Sequence, residues 1–527
     1  MKRLPLYPFL FVLYVILNPL ANNLDQLDPD LALRPIFFLL LAAAALLLLF
    51  NILFRDRLYA AYLVFLVTLY FFAFGYLNRF IQDQLAIFGI ALDERIFLAV
   101  CSGLLLISAI KAVWTRLGGH TWLVSYLNLV IALALLFPAY GLFFGFVDEL
   151  FQAGGVSRNT RTSFSEIRVD CSNTPDIYYI ILDGYGRADV LDGLYGLDNQ
   201  PFLDYLKRTG FYVASKSSTN YIQTFFSIPS SLNFNFIDPP GADLNGQMYF
   251  SGLIRRNAIM AALKRCGYRT VALESGFFFT DHPQVDIYLS PGIGTNEFES
   301  LLLADSPMDV LASELSLQPS EYSYAAHRQR VLFSFGKLGM LYKLPGPKFV
   351  FAHIISPHPP FVFDQSGKPV EPEHSYYLGD GDDYQGNLDE YRSRYPAQVQ
   401  FVNQKLEQVI DTILANSPSP PVIILQGDHG PGSRLVWDSP GQTCLWERTS
   451  IFNAYYLPGE GDRSLYPSIS PVNSFRVVLN TYFGTSLPLL PDTTYFTSHQ
   501  LERQAIDITT QRSSRANCDP PEELRRK

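Results

Sequence analysis

Apolar positions along this 527-residue chain follow two different patterns. Before residue 150 they merge into five long stretches, roughly Leu4–Leu20, Pro35–Phe54, Leu58–Leu77, Ile96–Val113 and Trp122–Val147. Each approaches the roughly 20 residues an α-helix needs to cross a bilayer. Residues 151–175 are polar, carry Gly154-Gly155, and read as a linker. From Asp176 onward short apolar runs alternate with amphipathic segments. Strands are predicted at Ile177–Leu182, Phe211–Ala214, Tyr268–Leu273, Phe349–Ile355 and Val422–Leu425, and helices at Phe202–Arg208, Leu253–Arg265 and Ala397–Ala415. The last helix is the clearest, because Val399, Val402, Leu406, Val409, Ile410 and Ile413 recur at three and four residues and so share one face. The pattern predicts an N-terminal bundle of about five transmembrane helices (residues 1–150), followed over 176–505 by an α/β domain. That domain has a central, mostly parallel sheet with helices on both faces. Residues 506–527 read as a disordered tail.

Charge sets the orientation. Pro8 and Pro19 interrupt the first stretch, which raises the alternative of a signal peptide, but no small-residue cleavage site follows and a retained anchor is expected. Short loops on one side carry Lys2, Arg3, Arg55, Arg57, Lys111 and Arg116, against Arg34, Arg79 and Arg95 on the other. The Lys/Arg excess faces the cytoplasm. The expected protein is therefore multi-pass in the plasma (inner) membrane, with a cytoplasmic N-terminus and an exoplasmic, periplasmic or extracellular, domain. Cys171, Cys266, Cys444 and Cys518 fall in the exoplasmic part, where disulfides persist. One bridge, such as Cys171 to Cys518, would tie that domain's two ends. A net charge of −9 and the lack of a basic tract argue against nucleic acid.

Two strand ends carry the candidate chemistry. Ile180-Ile181-Leu182 stops at Asp183-Gly184, and Val422-Ile423-Ile424-Leu425 stops at Gln426-Gly427-Asp428-His429-Gly430. Ligands of open α/β sheets bind at the carboxyl ends of strands. Asp183, Asp428 and His429 brought together there would form an oxygen-rich metal site with one imidazole. Between the two ends lies the hydroxyl-rich segment Asn220-Tyr221-Ile222-Gln223-Thr224-Phe225-Phe226-Ser227-Ile228-Pro229-Ser230-Ser231.

The order strand–Asp183, hydroxyl loop, strand–His358, strand–Asp428-His429 resembles the alkaline phosphatase/sulfatase superfamily. Supporting segments are Phe202–Phe211, Leu263–Thr270 and Gly427-Asp428-His429-Gly430. With membrane helices ahead of the domain, the chain resembles the branch of lipoteichoic acid synthases and phosphoethanolamine transferases. The resemblance implies that Thr224, in Thr224-x-x-Ser227-x-Pro229, is the nucleophile. It implies one divalent metal on Asp183, Thr224, Asp428 and His429: zinc or manganese, with magnesium or calcium as alternatives. Asp183 departs from the glutamate common in that branch. His358 would bind phosphoryl oxygens or protonate the leaving alcohol; Asn220, Gln223, Ser227 and Arg434 would bind substrate. The implied reaction is a phosphotransferase one, moving a phospho-alcohol headgroup from a membrane phospholipid to an exoplasmic glycan or glycolipid. Two alternatives stand beside it: a sulfatase-like or phosphodiesterase hydrolase with water as acceptor, and a non-catalytic membrane scaffold. Ser227-Ile228-Pro229-Ser230 also fits the start of a sulfatase motif, but Ser231 stands where that motif needs arginine. His353, in mid-strand, reads as a core histidine.

Overall fold

The computed structural model describes residues 4–22, 32–86, 94–115, 121–144, 167–238, 246–277, 279–292, 299, 302–303, 306–314, 324–370, 384, 387–459, 461–497 and 505–518. The chain divides into two compact units, one made of residues 1–161 and 294–321 and the other of 162–293 and 322–527.

The first unit is helical. All five apolar stretches form helices: α1 Tyr7–Asn22, α2 Leu33–Phe54, α3 Arg57–Ala86, α4 Glu94–Thr115 and α5 Thr121–Ala134. Three helical spans, Leu33–Phe54, Arg57–Gln82 and Thr121–Phe144, are long and apolar enough to cross a membrane; Tyr7–Ala21 and Ile96–Lys111 are shorter apolar helices. Their outward faces leave large side chains such as Phe37, Leu48, Leu106 and Phe137 exposed, as a lipid-facing surface requires. The unit also takes in residues the sequence assigned to the α/β domain. Leu302 packs with Val12, Ile16 and Val64, Val310 packs with Phe74 and Phe97, and Arg34 pairs with Glu299 at 2.9 Å. The expected domain 176–505 is thus interrupted, and its residues 294–321 cluster with the membrane helices.

The second unit is built on a seven-stranded sheet. Its strands are β1 Ile177–Leu182, β2 Tyr212–Val213, β3 Arg269–Leu273, β4 Ile287–Leu289, β5 Lys348–Ile354, β6 Val422–Gln426 and β7 Asn453–Tyr456. The spatial order is β2-β7-β6-β1-β5-β3-β4. β6, β1, β5, β3 and β4 run parallel, and β7 is antiparallel to both β6 and β2. β1 is buried along its whole length and supplies both faces of the core. Tyr178, Ile180 and Leu182 enter one apolar cluster, and Ile177, Tyr179 and Ile181 the other. Continuous apolar runs are what a parallel strand covered on both faces needs.

The helices of this unit are α6 Ala188–Tyr195, α7 Gln200–Arg208, α8 Thr224–Leu232, α9 Gly246–Arg255, α10 Ala258–Arg265, α12 Tyr324–Leu338, α13 Leu388–Asn416, α14 Leu445–Thr449 and α15 Pro471–Tyr482, whereas α11 Pro307–Glu314 belongs to the first unit. The expected helix Leu253–Arg265 is two helices, because Asn257 interrupts it and caps α10, its side chain accepting from Met260 N. The helix expected from Ala397 starts at Leu388, where Asn387 caps it, and runs through Pro396.

Two disulfides form, Cys171–Cys266 and Cys444–Cys518, and the expected Cys171–Cys518 pairing does not. Parallel strands start on one edge of the sheet; Cys171 lies shortly before β1 and Cys266 shortly before β3, so the two meet at that edge. Cys518 lies instead beside the segment that follows β6. The tail from residue 506 is correspondingly ordered as far as it is described: Ile506–Asp507 forms β9 against β8 (Tyr495–Phe496), and turns lead to the bridged Cys518. Residues 519–527 and the linker residues 151–166 lie outside the described residues. Residues 167–175 pack on the α/β unit through Ile167 and Val169.

Candidate active site and metal centre

The adjacent strands β1 and β6 end together, since Ile181 is in register with Gln426. The chain beyond each strand therefore delivers Asp183 and Asp428 to the same point. Gly184, at φ +69°, turns the backbone directly after Asp183, and its N–H donates to Asp428 Oδ1 at 3.1 Å. The opposite turn is held by Gly430, where an added Cβ would lie 2.0 Å from the Glu447 carbonyl oxygen. Gly184 is thus required by its left-handed backbone, and Gly427 and Gly430 by the close approach of the Tyr185 and Glu447 carbonyl oxygens.

Thr224 is the first residue of α8, and the hydroxyl-rich segment read as a loop is largely this helix. Its Oγ1 donates to Asp428 Oδ2 at 2.7 Å and lies 3.1 Å from His429 Nε2. His429 Nδ1 lies 3.0 Å from the Gly430 carbonyl. A carbonyl only accepts, so Nδ1 carries the proton and Nε2 presents its lone pair to Thr224. Burial and the nearby Arg448 charge push the His429 pKa down, which keeps the ring neutral. Arg448 clamps two parts of the site, donating through Nε to Ile222 O and through Nη1 to Gly430 O.

Asp183 Oδ1 lies 3.5 Å from His429 Nε2 and 4.0 Å from His358 Nε2. That oxygen is buried and has no hydrogen-bond partner. Burial alone would raise the Asp183 pKa, but His358 beside it and the hydrogen bond from His353 hold the carboxyl well below the usual carboxylate range. An ionised, buried and unpartnered oxygen is costly unless a cation completes it. Asp183 Oδ1, Thr224 Oγ1, Asp428 Oδ2 and His429 Nε2 converge, and three oxygens with one imidazole nitrogen suit a divalent ion. The residues present therefore fit the expected metal. Two groupings have their ligand atoms within 4.8 Å of one another: Asp183, His358 and His429, and Asp183, His353 and Asp428.

His358 stands at the partly open rim. Its Nδ1 lies 2.5 Å from the Pro359 carbonyl, which leaves Nε2 as a lone pair turned toward Asp183. Gln223 precedes Thr224, and both polar atoms of its buried amide lack a hydrogen-bond partner. Arg434 follows in the turn after His429, and its N–H donates to Glu447 Oε2.

Two expected substrate contacts are corrected. Asn220 Nδ2 donates to Ser470 Oγ and Thr493 O, and its Oδ1 accepts from Val472 N, so the amide is spent tying the loop to the start of α15. Ser227 is fully buried, and its hydroxyl donates to the Asp428 backbone carbonyl at 2.7 Å, with Thr219 Oγ1 donating to the same oxygen at 2.6 Å. Ser227 holds Asp428 in place from behind; it does not face a substrate.

One site residue was misread. His353, expected in the core, is indeed buried, but its Nε2 lies 3.2 Å from Asp183 Oδ2. As the one titratable residue in Phe349–Ile355, five positions before His358, it carried a signal that the core reading passed over. Glu447 was also missed. It is fully buried and accepts from the N–H groups of Ser433 and Arg434, from Ser433 Oγ and from Tyr195 OH, which shapes the turn after His429.

A family model described as sulfatase matches residues 175–467, more than half of the chain. The protein belongs to the sulfatase family and is a sulfatase-like enzyme of the alkaline phosphatase superfamily. Among solved structures it is similar to the C-terminal periplasmic domain of EcEptC from Escherichia coli in complex with Zn, at 14% identity and TM-score 0.43, covering 67% of this chain and 98% of that one. It is also similar to the periplasmic domain of phosphoethanolamine transferase EptC from Campylobacter jejuni, at 12% identity and TM-score 0.38, covering 60% and 91%. A third similar structure is the lipoteichoic acid synthase LtaP from Listeria monocytogenes, at 14% identity and TM-score 0.39, covering 63% and 79%. A comparison with curated proteins finds no match.

Proposed function

We propose that this protein is a metal-dependent transferase that moves a phospho-alcohol headgroup from a membrane phospholipid to a glycan or glycolipid hydroxyl on the outer side of the membrane, through a phosphothreonine at Thr224. The observation that carries this reading is the Thr224 hydroxyl at the start of α8, 2.7 Å from Asp428 Oδ2 and 3.1 Å from the His429 Nε2 lone pair, opposite the unpartnered Asp183 Oδ1.

A threonine hydroxyl is a weak nucleophile at its ordinary pKa. A divalent ion held by Asp183, Thr224, Asp428 and His429 would supply Lewis-acid stabilisation of the alkoxide and of the phosphoryl charge. Thr224 Oγ, as the alkoxide with its proton already given up to solvent, attacks phosphorus, the bond to the lipid alcohol breaks, and diacylglycerol or a similar alcohol leaves. His358, when protonated, donates from Nε2 to that leaving oxygen. Now neutral, it accepts the proton of the incoming acceptor hydroxyl, which attacks phosphorus and releases Thr224. The Gln223 amide and the N-terminus of α8 bind phosphoryl oxygens. Arg434 clamps the same group from the turn after His429.

Membrane helices on the same chain fit a donor that itself resides in a bilayer. With five crossings and a cytoplasmic N-terminus, the α/β unit lies outside the cell membrane. The missing arginine at Ser231, and the engagement of Ser227 with the Asp428 backbone, both weigh against sulfate-ester hydrolysis by a modified Ser227.

The test is intact-mass spectrometry of the purified protein after exposure to headgroup-labelled phospholipid, followed by addition of acceptor. A phospho-alcohol adduct on Thr224 that passes to the acceptor supports transfer, and passage to water alone makes the enzyme a phosphodiesterase. Full turnover by Thr224→Ala would remove the covalent step altogether.

A further inference from the structure

We propose that Thr280, acting through His353, is a positioning residue that decides which oxygen of Asp183 is presented to the cation. This rests on the metal-site reading above and adds to it an arm that reaches the site from the opposite side of β5.

The arm can be followed atom by atom. Asp183 Oδ2 lies 3.2 Å from His353 Nε2. An ionised carboxylate only accepts, so His353 Nε2 carries a proton and donates it. His353 Nδ1 lies 2.8 Å from Thr280 Oγ1. Thr280 Oγ1 is 3.0 Å from Ser275 Oγ, and Ser275 Oγ donates to Asp281 Oδ1 at 2.8 Å. The Ser275 proton is therefore committed to Asp281, and the Phe277 N–H already donates to the Ser275 oxygen at 3.0 Å. The Thr280 hydroxyl also lies 3.2 Å from the Phe277 carbonyl; His353 Nδ1, at 2.8 Å, is the nearer acceptor, and Thr280 donates to it when the imidazole is neutral. Thr280 thereby selects the tautomer in which Nε2 is the donor, and that donor occupies Oδ2.

The consequence is at Oδ1. With Oδ2 capped, the oxygen turned toward His429 Nε2, at 3.5 Å, is the unpartnered one. An aspartate has a single torsion between its Cβ and its carboxylate, and without the cap either oxygen could face the cation or both could share it. The arm is built for precision. Ser275, Thr280 and His353 are all buried, and the turn bearing Ser275 and Thr280 is closed by Ser275 N on Asp281 Oδ1 at 2.7 Å and Thr280 N on Phe277 O at 2.9 Å. Outer partners that orient a ligating group commonly contribute a large share of metal affinity.

The experiment measures zinc affinity of the detergent-solubilised full-length protein by competition with a chromogenic chelator, alongside thermal melting of the metal-free form. Thr280→Val keeps the side-chain volume and removes the hydroxyl. It is expected to weaken zinc binding by about 10- to 100-fold, and Thr280→Ser, which restores a hydroxyl, to recover it. If Thr280 only closed its own turn, Thr280→Val would lower the metal-free melting temperature and leave zinc affinity within twofold of wild type, which overturns the proposal. Should Thr280→Val prove too unstable to assay, Thr280→Ser decides: zinc binding as in wild type supports the arm, and its loss overturns it. A wild type that takes up zinc but transfers no headgroup refutes the reaction proposed above and leaves this inference standing; a wild type that takes up neither zinc nor manganese, magnesium or calcium refutes both.

Discussion

Replacing Gly430 by alanine is a sharp test of how the site is held, because it adds one methyl group and removes no functional atom. The new Cβ would sit 2.0 Å from the Glu447 carbonyl oxygen and 3.0 Å from that of Ser450, both of them backbone atoms that no rotamer change can move. To bring the first contact beyond 3.0 Å, either the Gly430 turn or the α14 backbone must shift. Both carry site residues. Gly430 N donates to Arg448 O at 2.8 Å, and Gly430 O receives His429 Nδ1 and Arg448 Nη1. Overpacking of this kind costs about 1–3 kcal/mol, and displacement of a reacting group by about 1 Å costs on the order of 10²-fold in rate. The expected result is a lowered melting temperature together with a fall of about 100-fold in turnover of labelled phospholipid, with zinc affinity also reduced because the His429 ring is misplaced. Wild-type turnover and wild-type zinc affinity in a folded Gly430→Ala protein would refute the claim that this turn sets the position of His429.

Two further outcomes follow from groups at the edge of the site. Asp281 is partly buried, and desolvation first, then the neighbouring Glu274, push its pKa up to about 6. A folded pKa above the unfolded value of about 3.9 means that its stabilising contribution is full below about pH 3.9 and is lost as pH rises through about 6. Asp281→Asn should therefore flatten the pH dependence of metal-free stability between about pH 4 and 6, by a difference on the order of 2–3 kcal/mol; parallel unfolding curves for both proteins across that window would remove the assignment. The Cys444–Cys518 bridge closes a separation of 74 residues and anchors the start of α14, which carries Glu447 and Arg448. Replacing both cysteines by serine should destabilise the protein by about 4 kcal/mol on a loop-closure estimate and slow turnover, whereas unchanged denaturant midpoints would show the loop to be held by other contacts.

Much of the sheet was legible because its strands are short apolar runs with sharp ends. Ile177–Leu182 occurs as expected, and β5 and β6 start or stop within one residue of their predicted limits. The long helix was legible from its periodic face, but its true start depended on Asn387 reaching the N–H of Glu390, a local hydrogen bond that hydrophobic spacing does not encode. The two carboxylate–glycine strand ends were readable for a steric reason. A chain that leaves a buried strand and turns at once needs either a left-handed backbone, as at Gly184, or space beside another backbone that no Cβ allows, as at Gly430.

What the sequence determined by itself is thus the part governed by neighbours along the chain: the apolar helices, the alternating strands and helices, and the motif residues Asp183, Thr224, Asp428 and His429. Tertiary structure alone decided which distant groups meet. It turned Ser227 and Asn220 away from the substrate, because their hydrogen-bond partners lie 201 and 250 or more residues away. It paired the cysteines by the edge of the sheet on which each falls, and placed residues 294–321 with the membrane helices. It also drew His353 into the site, since in the register of β1 with β5 it lies beside Ile181, two residues before the carboxylate it touches. The physical reason is common to all of these. Burial and periodicity are local averages that a sequence displays directly, whereas a hydrogen bond or a disulfide needs two atoms within a few ångströms, and only the completed packing of the chain sets those distances.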